Sequence, residues 1–233
     1  MCGDSSIAEQ LSFQIEEGGS IPTSPLQISN FKIRKISFDI GKEFVKKYHY
    51  TGGIKGSLTY GLFNNYELIG VCAFATPSSE NVCASVFGIE HKRSVTELHR
   101  LVLLDWVPKN SESWFISRAL KILKKDKPFY NAVLSFADAN EGHSGIIYQA
   151  TNAIYTGISS KSIFYLDQNN RLRHPRHDGH NISRAEALSR NWKTIKRDGK
   201  YRYLYLLPND KRHKKELLQM LLLKQLPYPK GVK

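Results

Sequence analysis

The sequence predicts an α/β protein with one mixed central sheet and helices on both of its faces. Three observations carry that prediction: short apolar runs of strand length, longer segments with apolar residues at helical spacing, and the interleaving of the two kinds after an early hairpin. With 41% hydrophobic and 24% charged residues, the 233-residue chain holds enough apolar material for one ordinary core and a tail.

Residues 1–29 are rich in Ser, Gly and Pro, carry Asp4, Glu9, Glu16 and Glu17 without any Lys or Arg, and show no periodic apolar face. They are expected to form a flexible acidic tail, with the folded domain over 30–233. From Phe31 apolar and basic residues alternate, as in a half-buried strand. Asp39 is placed to cap a helix that runs through Tyr48 and breaks at Gly52-Gly53. Residues 57–63 and 67–76 read as a hairpin turned by Asn64-Asn65-Tyr66. A further strand is expected at 95–104, then a helix over 112–125 carrying Trp114, Phe115, Ala119, Leu120, Ile122 and Leu123 at helical spacing. Residues 132–137 read as a buried strand, 138–143 as a loop, and 144–156 as a helix. Residues 163–166 and 201–207 are expected to close the sheet, with a basic insert over 171–200 between them. This order resembles the acetyltransferase superfold known as GNAT.

The formal charge of +13 is unevenly spread. Residues 171–233 hold 17 basic and 5 acidic residues, so nearly all of the excess lies in the last quarter. A positive surface so concentrated attracts a polyanion. Trp192, Tyr201, Tyr203, Tyr205 and Tyr228 alternate with these cations, and aromatic rings beside cations suit bases beside phosphates. Arg171, Arg173, His174, Arg176, His177, Lys193, Lys196, Arg197, Lys200 and Arg202 are the candidate phosphate contacts, with double-stranded DNA the expected partner. A basic amphipathic helix over 211–224 keeps a membrane surface as the weaker alternative. The longest apolar run, Leu217 to Leu223, is far short of the roughly 20 residues that cross a bilayer, and the start of the chain lacks a basic-then-apolar leader. Cys2, Cys72 and Cys83 form neither a disulfide framework nor a CxxC pair, so a cytoplasmic protein with reduced thiols is expected.

Four stretches can carry chemistry. Asp138 ends a buried strand, where open α/β sheets place ligands, and Tyr148 and Asn152 are expected four apart on one helix face beyond it. A carboxylate there can accept a proton and a phenol donate one, although Asp138 also suits a helix cap and Tyr148 the core. His49 and Tyr50 end the first helix, a place where His equally serves as a dipole partner. Lys109, Asn110, Ser111 and Ser113 start the central helix, where free N–H groups can hold the phosphate of a cofactor or simply be capped. His174, His177 and His180 suit a solvated phosphate-touching loop better than a metal site.

Taken together, Tyr48-His49-Tyr50-Thr-Gly-Gly, Glu97-Leu-His-Arg-Leu-Val, the segment from Pro108 to Leu120, Ser135-Phe-Ala-Asp138 with Tyr148-Gln-Ala-x-Asn152, and Leu226-Pro-Tyr-Pro-Lys resemble the Mom-type DNA-modification proteins of bacteriophages over about residues 31–230. The resemblance implies a GNAT-like fold and conversion of adenine in DNA to an N6-carbamoylmethyl derivative that protects phage DNA from restriction. It implies His49, Tyr50, Asp138 and Tyr148 as active-site residues, and it raises a bound iron. The donor is expected to be acetyl-CoA-like or glycine-derived, delivered as a small molecule or on an aminoacyl carrier. Where the superfold carries a Gly-rich pyrophosphate loop, this chain has Val107-Pro108-Lys109-Asn110-Ser111, which speaks against acetyl-coenzyme A. Acylation of an amine on tRNA, protein or a small molecule, and a non-catalytic nucleic-acid-binding module, are the alternatives.

Overall fold

In the computed structural model, which describes residues 27–49, 52–56, 58–177 and 180–229, the chain divides into two units. One takes the residues through Ala75 together with His99–Ile122, and the other takes Thr76–Leu98 together with the chain from Leu123 onward. Of the expected acidic tail, residues 1–26 lie outside the described residues, and Ile28–Asn30 form a short 3₁₀ turn.

In the first unit, β1 (Phe31–Ile36), β2 (Leu58–Asn64) and β3 (Glu67–Ala75) pair antiparallel in chain order. The expected hairpin turns at Asn65, whose φ of 55° is the left-handed conformation that reverses a chain in two residues. Helix α1 (Phe38–Tyr48) packs Phe44 and Val45 against Ile36, Phe63, Val71 and Val102. Its cap is Ser37 rather than the expected Asp39. Ser37 is the last extended residue, and its hydroxyl accepts from the Ile40 N–H at 3.3 Å, which leaves Asp39 in the first turn beside the positive helix end. Strand β4 (Val95–Leu103) ends in this unit, and α3 (Ser111–Asp126) starts in it.

The second unit holds the mixed sheet. Strand β5 (Ala132–Ala137) runs parallel to the start of β4, with Val95 opposite Ala132. β12 (Tyr201–Leu206) lies antiparallel to β5, and β6 (Ile154–Ile158) antiparallel to β12. One face buries Leu134 and Leu204 against Cys83 and Val86 of α2 (Glu80–Phe87) and Leu217 of α6 (Lys211–Met220). Each such leucine stabilises the fold by about 1.5–3 kcal/mol. The opposite face presents Ser135, Tyr155 and Tyr203, and α4 (Ile146–Ala150) lays the Tyr148 ring 5.3 Å from that of Tyr203. The α/β class, the mixed sheet and the helices on both faces are as expected.

Two elements differ from expectation. The helix expected over 144–156 is one short turn and a half, because Asn152 takes φ 59° and the Ile-Tyr-Thr that follows becomes β6. Asn152 therefore shares no helix face with Tyr148. Strand β7 (Ser162–Leu166) does not close the main sheet. It joins β8 (Leu172–Arg173) and β11 (Lys193–Arg197) in a separate three-stranded antiparallel sheet. The basic insert is thus folded rather than loop-like. The hairpin of β9 (Arg176–His177) and β10 (His180–Asn181) follows, and α5 (Arg184–Ser189) helps cover a small core of Tyr165, Ile182, Ala187 and Trp192. Strands of two to five residues around one tyrosine leave too short a periodicity to be read beforehand.

Candidate active site

The loop from Asp138 to Gly145 joins the carboxyl end of β5 to α4. Asp138 Oδ1 accepts from the Asn140 backbone N–H at 3.1 Å and from its side-chain amide at 2.9 Å. Lys200 Nζ lies 3.2 Å from Oδ2, and Arg197 Nη2 lies 3.7 Å from Oδ1 and 2.9 Å from Glu141 Oε1. The Asp138 side chain is only 15% exposed, and that burial pushes its carboxyl up. The Asn140 hydrogen bond and the Lys200 ammonium outweigh the burial and hold the carboxyl below its ordinary range. Asp138 is thus both a cap of the short Ala139–Glu141 turn and an ionised group held by two cations.

Behind it lies a cluster of tyrosines. The Tyr203 hydroxyl donates to the Ser144 carbonyl and accepts from Gln149 Nε2 at 3.0 Å, and the Tyr155 ring lies 5.3 Å from the Tyr203 ring. Burial pushes the Tyr155 and Tyr203 hydroxyls up, so both stay protonated at neutral pH. On the same face Ser135 Oγ is buried without a hydrogen-bond partner among the described residues. Gly145 caps α4 at φ 80°, and a Cβ there would meet Tyr203 Cε2 at 2.4 Å. Gly145→Ala is therefore expected to cost about 3 kcal/mol from left-handed strain and overpacking. Thermal melting should register this as a fall of about 6–12 °C.

The C-terminal Leu-Pro-Tyr-Pro motif straps the free edge of β6: Leu226 N–H donates to the Tyr155 carbonyl at 2.9 Å, and the Tyr228 hydroxyl to the Ala153 carbonyl at 2.9 Å. Three of the five rings expected to stack on bases are otherwise occupied. Tyr203 and Tyr205 are buried in the sheet, and Trp192 packs on Tyr165; Tyr228 remains exposed.

His49 closes α1 in the first unit, its backbone N–H bonded to the Val45 carbonyl, and Tyr50 lies outside the described residues. In the same unit Arg100 Nε donates to the Gly53 carbonyl at 2.8 Å, anchoring the stretch beyond His49. At the start of α3, Asn110 takes φ 70°, the Ser111 hydroxyl donates to the Pro108 carbonyl at 2.7 Å, and the Ser113 hydroxyl donates to the Asn110 carbonyl at 2.9 Å. Both hydroxyls serve their own turn, which leaves Lys109 and backbone N–H groups as that segment's means of meeting a phosphate.

The basic residues divide by what they touch. Arg173 forks onto Asp167 at 2.6 and 2.8 Å, and Arg202 binds Thr156 Oγ1 at 2.9 Å and its carbonyl at 3.1 Å. Arg171, Arg176, Lys193 and Lys196 are exposed and form no ion pair among the described residues. His174 Nδ1 accepts from the Arg176 N–H, and His180 pairs with Glu186. No three His, Cys, Asp or Glu among the described residues gather where they could hold a metal ion, so these residues offer no site for the iron that the resemblance raises. No helix among the described residues is long and apolar enough to cross a membrane.

Fold and site together define an α/β protein with a carboxylate and a phenol flanking one loop at the end of a parallel strand, beside a folded basic insert. The Mom protein family matches residues 30–230, and the chain belongs to that family. It is 31% identical over 138 residues to the methylcarbamoylase Mom of Escherichia phage Mu, a match covering 58% of this chain and 57% of that protein. Among solved structures it is similar to a spermidine N-acetyltransferase from Vibrio cholerae, with a TM-score of 0.44 and 11% identity over 77% of this chain and 95% of that one. It is also similar to a Bacillus subtilis acetyltransferase in complex with CoA, with a TM-score of 0.40 and 13% identity over 76% and 98%.

Proposed function

We propose that this chain is a cytoplasmic DNA-modifying transferase that attaches a small acyl- or glycine-derived group, the carbamoylmethyl group, to the N6 amine of adenine in duplex DNA and so protects phage DNA from restriction. The observation that carries this reading is the ionised Asp138 carboxylate one loop from Tyr148, in a member of a family whose phage Mu relative is named a methylcarbamoylase. The N6 lone pair is delocalised into the ring and the amine lies in the stack, so the base must be flipped out and the amine oriented. A carboxylate held at low pKa is a weak base. It accepts a hydrogen bond from the N6 amine, and it takes the proton once the new N–C bond has made that nitrogen cationic and acidic.

Tyr148 donates to the donor's leaving group or to the oxygen on which charge develops. His49 and Tyr50 are proposed as further active-site residues, and Lys109 with the backbone of Asn110, Ser111 and Ser113 to meet a phosphate of the donor. The exposed cations of the insert hold the duplex. Mass analysis of nucleosides from the DNA of cells expressing this chain tests the reading. A carbamoylmethylated deoxyadenosine is expected, and it should disappear with the expression vector. Unmodified DNA alongside an acylated amine on tRNA, protein or a small molecule would move the activity to another amine, and no product in any pool would leave a binding module.

A further inference from the structure

The insert's charge is not spread evenly around its small sheet. Register places Lys193 opposite Leu166, which stands opposite Leu172, and Arg197 opposite Ser162. Because side chains alternate along a strand, Lys193, Ile195 and Arg197 share one face with Phe164, Leu166 and Leu172, and Thr194 and Lys196 share the other with Ile163, Tyr165 and Arg173. The second face is partly spoken for: Tyr165 is buried with Ile182 and Ala187 of the insert core, and Arg173 is committed to Asp167.

The first face leads to Asp138. The Arg197 guanidinium lies over the Phe164 ring at 5.4 Å and reaches Glu141 and Asp138, and the His174 ring stands edge-on to Phe164 at 5.1 Å. Asn140 Nδ2 donates to the Asp198 carbonyl at 3.2 Å, a second tie between the catalytic loop and the end of β11. At the far end of the same face Lys193 is exposed without an ion pair among the described residues, in one row across Leu166 with Leu172, which is 44% exposed. Four strand steps carry the chain from Lys193 to Arg197, about 13 Å.

We propose that duplex DNA lies on the Lys193–Arg197 face of this sheet, with Lys193 holding a backbone phosphate and Leu172 resting on the adjoining sugar or base edge, so that the strand is led to Asp138. This rests on the DNA reading above and deepens it. The charge count treats Lys193 and Lys196 alike, whereas the register sets them on opposite faces. The occupant follows from the chemistry of the face: the exposed Lys193 at its far end, with an apolar and aromatic strip running from it toward Arg197, matches a polyanion that also exposes sugars and base edges.

The test measures the affinity of the full chain for a 20-base-pair duplex by fluorescence anisotropy across a salt series, for the unaltered protein and for Lys193→Gln and Lys196→Gln. Both side chains are exposed, so both variants fold, and Lys193→Glu with Lys196→Glu enlarge the contrast. Loss of one phosphate contact lowers the log–log salt slope by about 0.9. Lys193→Gln is expected to show that change, and Lys196→Gln less than half of it. Equal effects, or the larger effect at Lys196, would overturn the face assignment while leaving DNA binding in place. An unaltered protein whose affinity barely responds to salt would remove DNA as the partner and this surface with it.

Discussion

Asp138→Asn is expected to lower the modified-adenine fraction by about 10²–10⁴-fold while the protein still folds and binds DNA. The substitution keeps the shape of the side chain, and an Asn oxygen can accept from the Asn140 N–H as the carboxylate does. What disappears is the negative charge that faces Lys200 and Arg197. Lys200 is half exposed, so the lost pairing costs about 1 kcal/mol or less in stability. A residue serving only as a cap would therefore survive the change with its activity, and near-normal modification would remove Asp138 from the chemistry. The pH dependence has a definite sign. The folded pKa is depressed, so the loop stabilisation from this carboxylate is fully present above its unfolded value of about 3.9 and is lost as pH falls through the folded value. The carboxylate stays ionised across the neutral range, and no limb of the activity profile near pH 7 should belong to it.

Tyr148→Phe is expected to reduce modification by a similar factor of about 10² or more. Phe keeps the ring that packs 5.3 Å from Tyr203 and removes only the hydroxyl, so melting temperature and DNA affinity should stay close to those of the unaltered protein. If Tyr148 contributes only packing, Phe serves as well and modification persists. The two substitutions thus separate a proton-handling pair from a structural one. The readout in both cases is the nucleoside composition of digested DNA, measured beside a melting curve.

Much of the frame was legible in the sequence because it is local. The alternation from Phe31, the apolar run that becomes β5, the helical spacing from Trp114 to Leu123 and the Asn64-Asn65-Tyr66 turn each state their own structure within a few residues. What escaped was set by partners far away. Asn152 ended α4 because its left-handed turn delivers Ile154 and Tyr155 to β12, whereas the shift of the α1 cap from Asp39 to Ser37 is a local matter of where the chain first turns helical. The strand at Ser162 pairs with one 30 residues on rather than with the main sheet. At the site, the position of Asp138 at a strand end was visible beforehand. Its links to Arg197 and Lys200 were not, since they cross about 60 residues of sequence.

The ends of the insert meet. Ser159 donates its N–H to the Lys200 carbonyl at 2.9 Å, and Lys200 returns its own N–H to the Ser159 hydroxyl at 2.9 Å. Gly199 sits where a Cβ would fall 1.7 Å from the Ser159 carbonyl oxygen, so the two strands touch with no room between them. Residues from Lys161 to Asp198 therefore leave and rejoin the chain at one closed neck between β6 and β12, two strands that are paired neighbours in any case. Segments whose ends coincide can be lengthened, shortened or exchanged without reshaping their host. The carboxylate and the phenol belong to the host strand and loop, whereas the insert touches them only at its returning end, where Arg197 and Asp198 meet Asp138, Asn140 and Glu141; the rest of it can change length without moving either group.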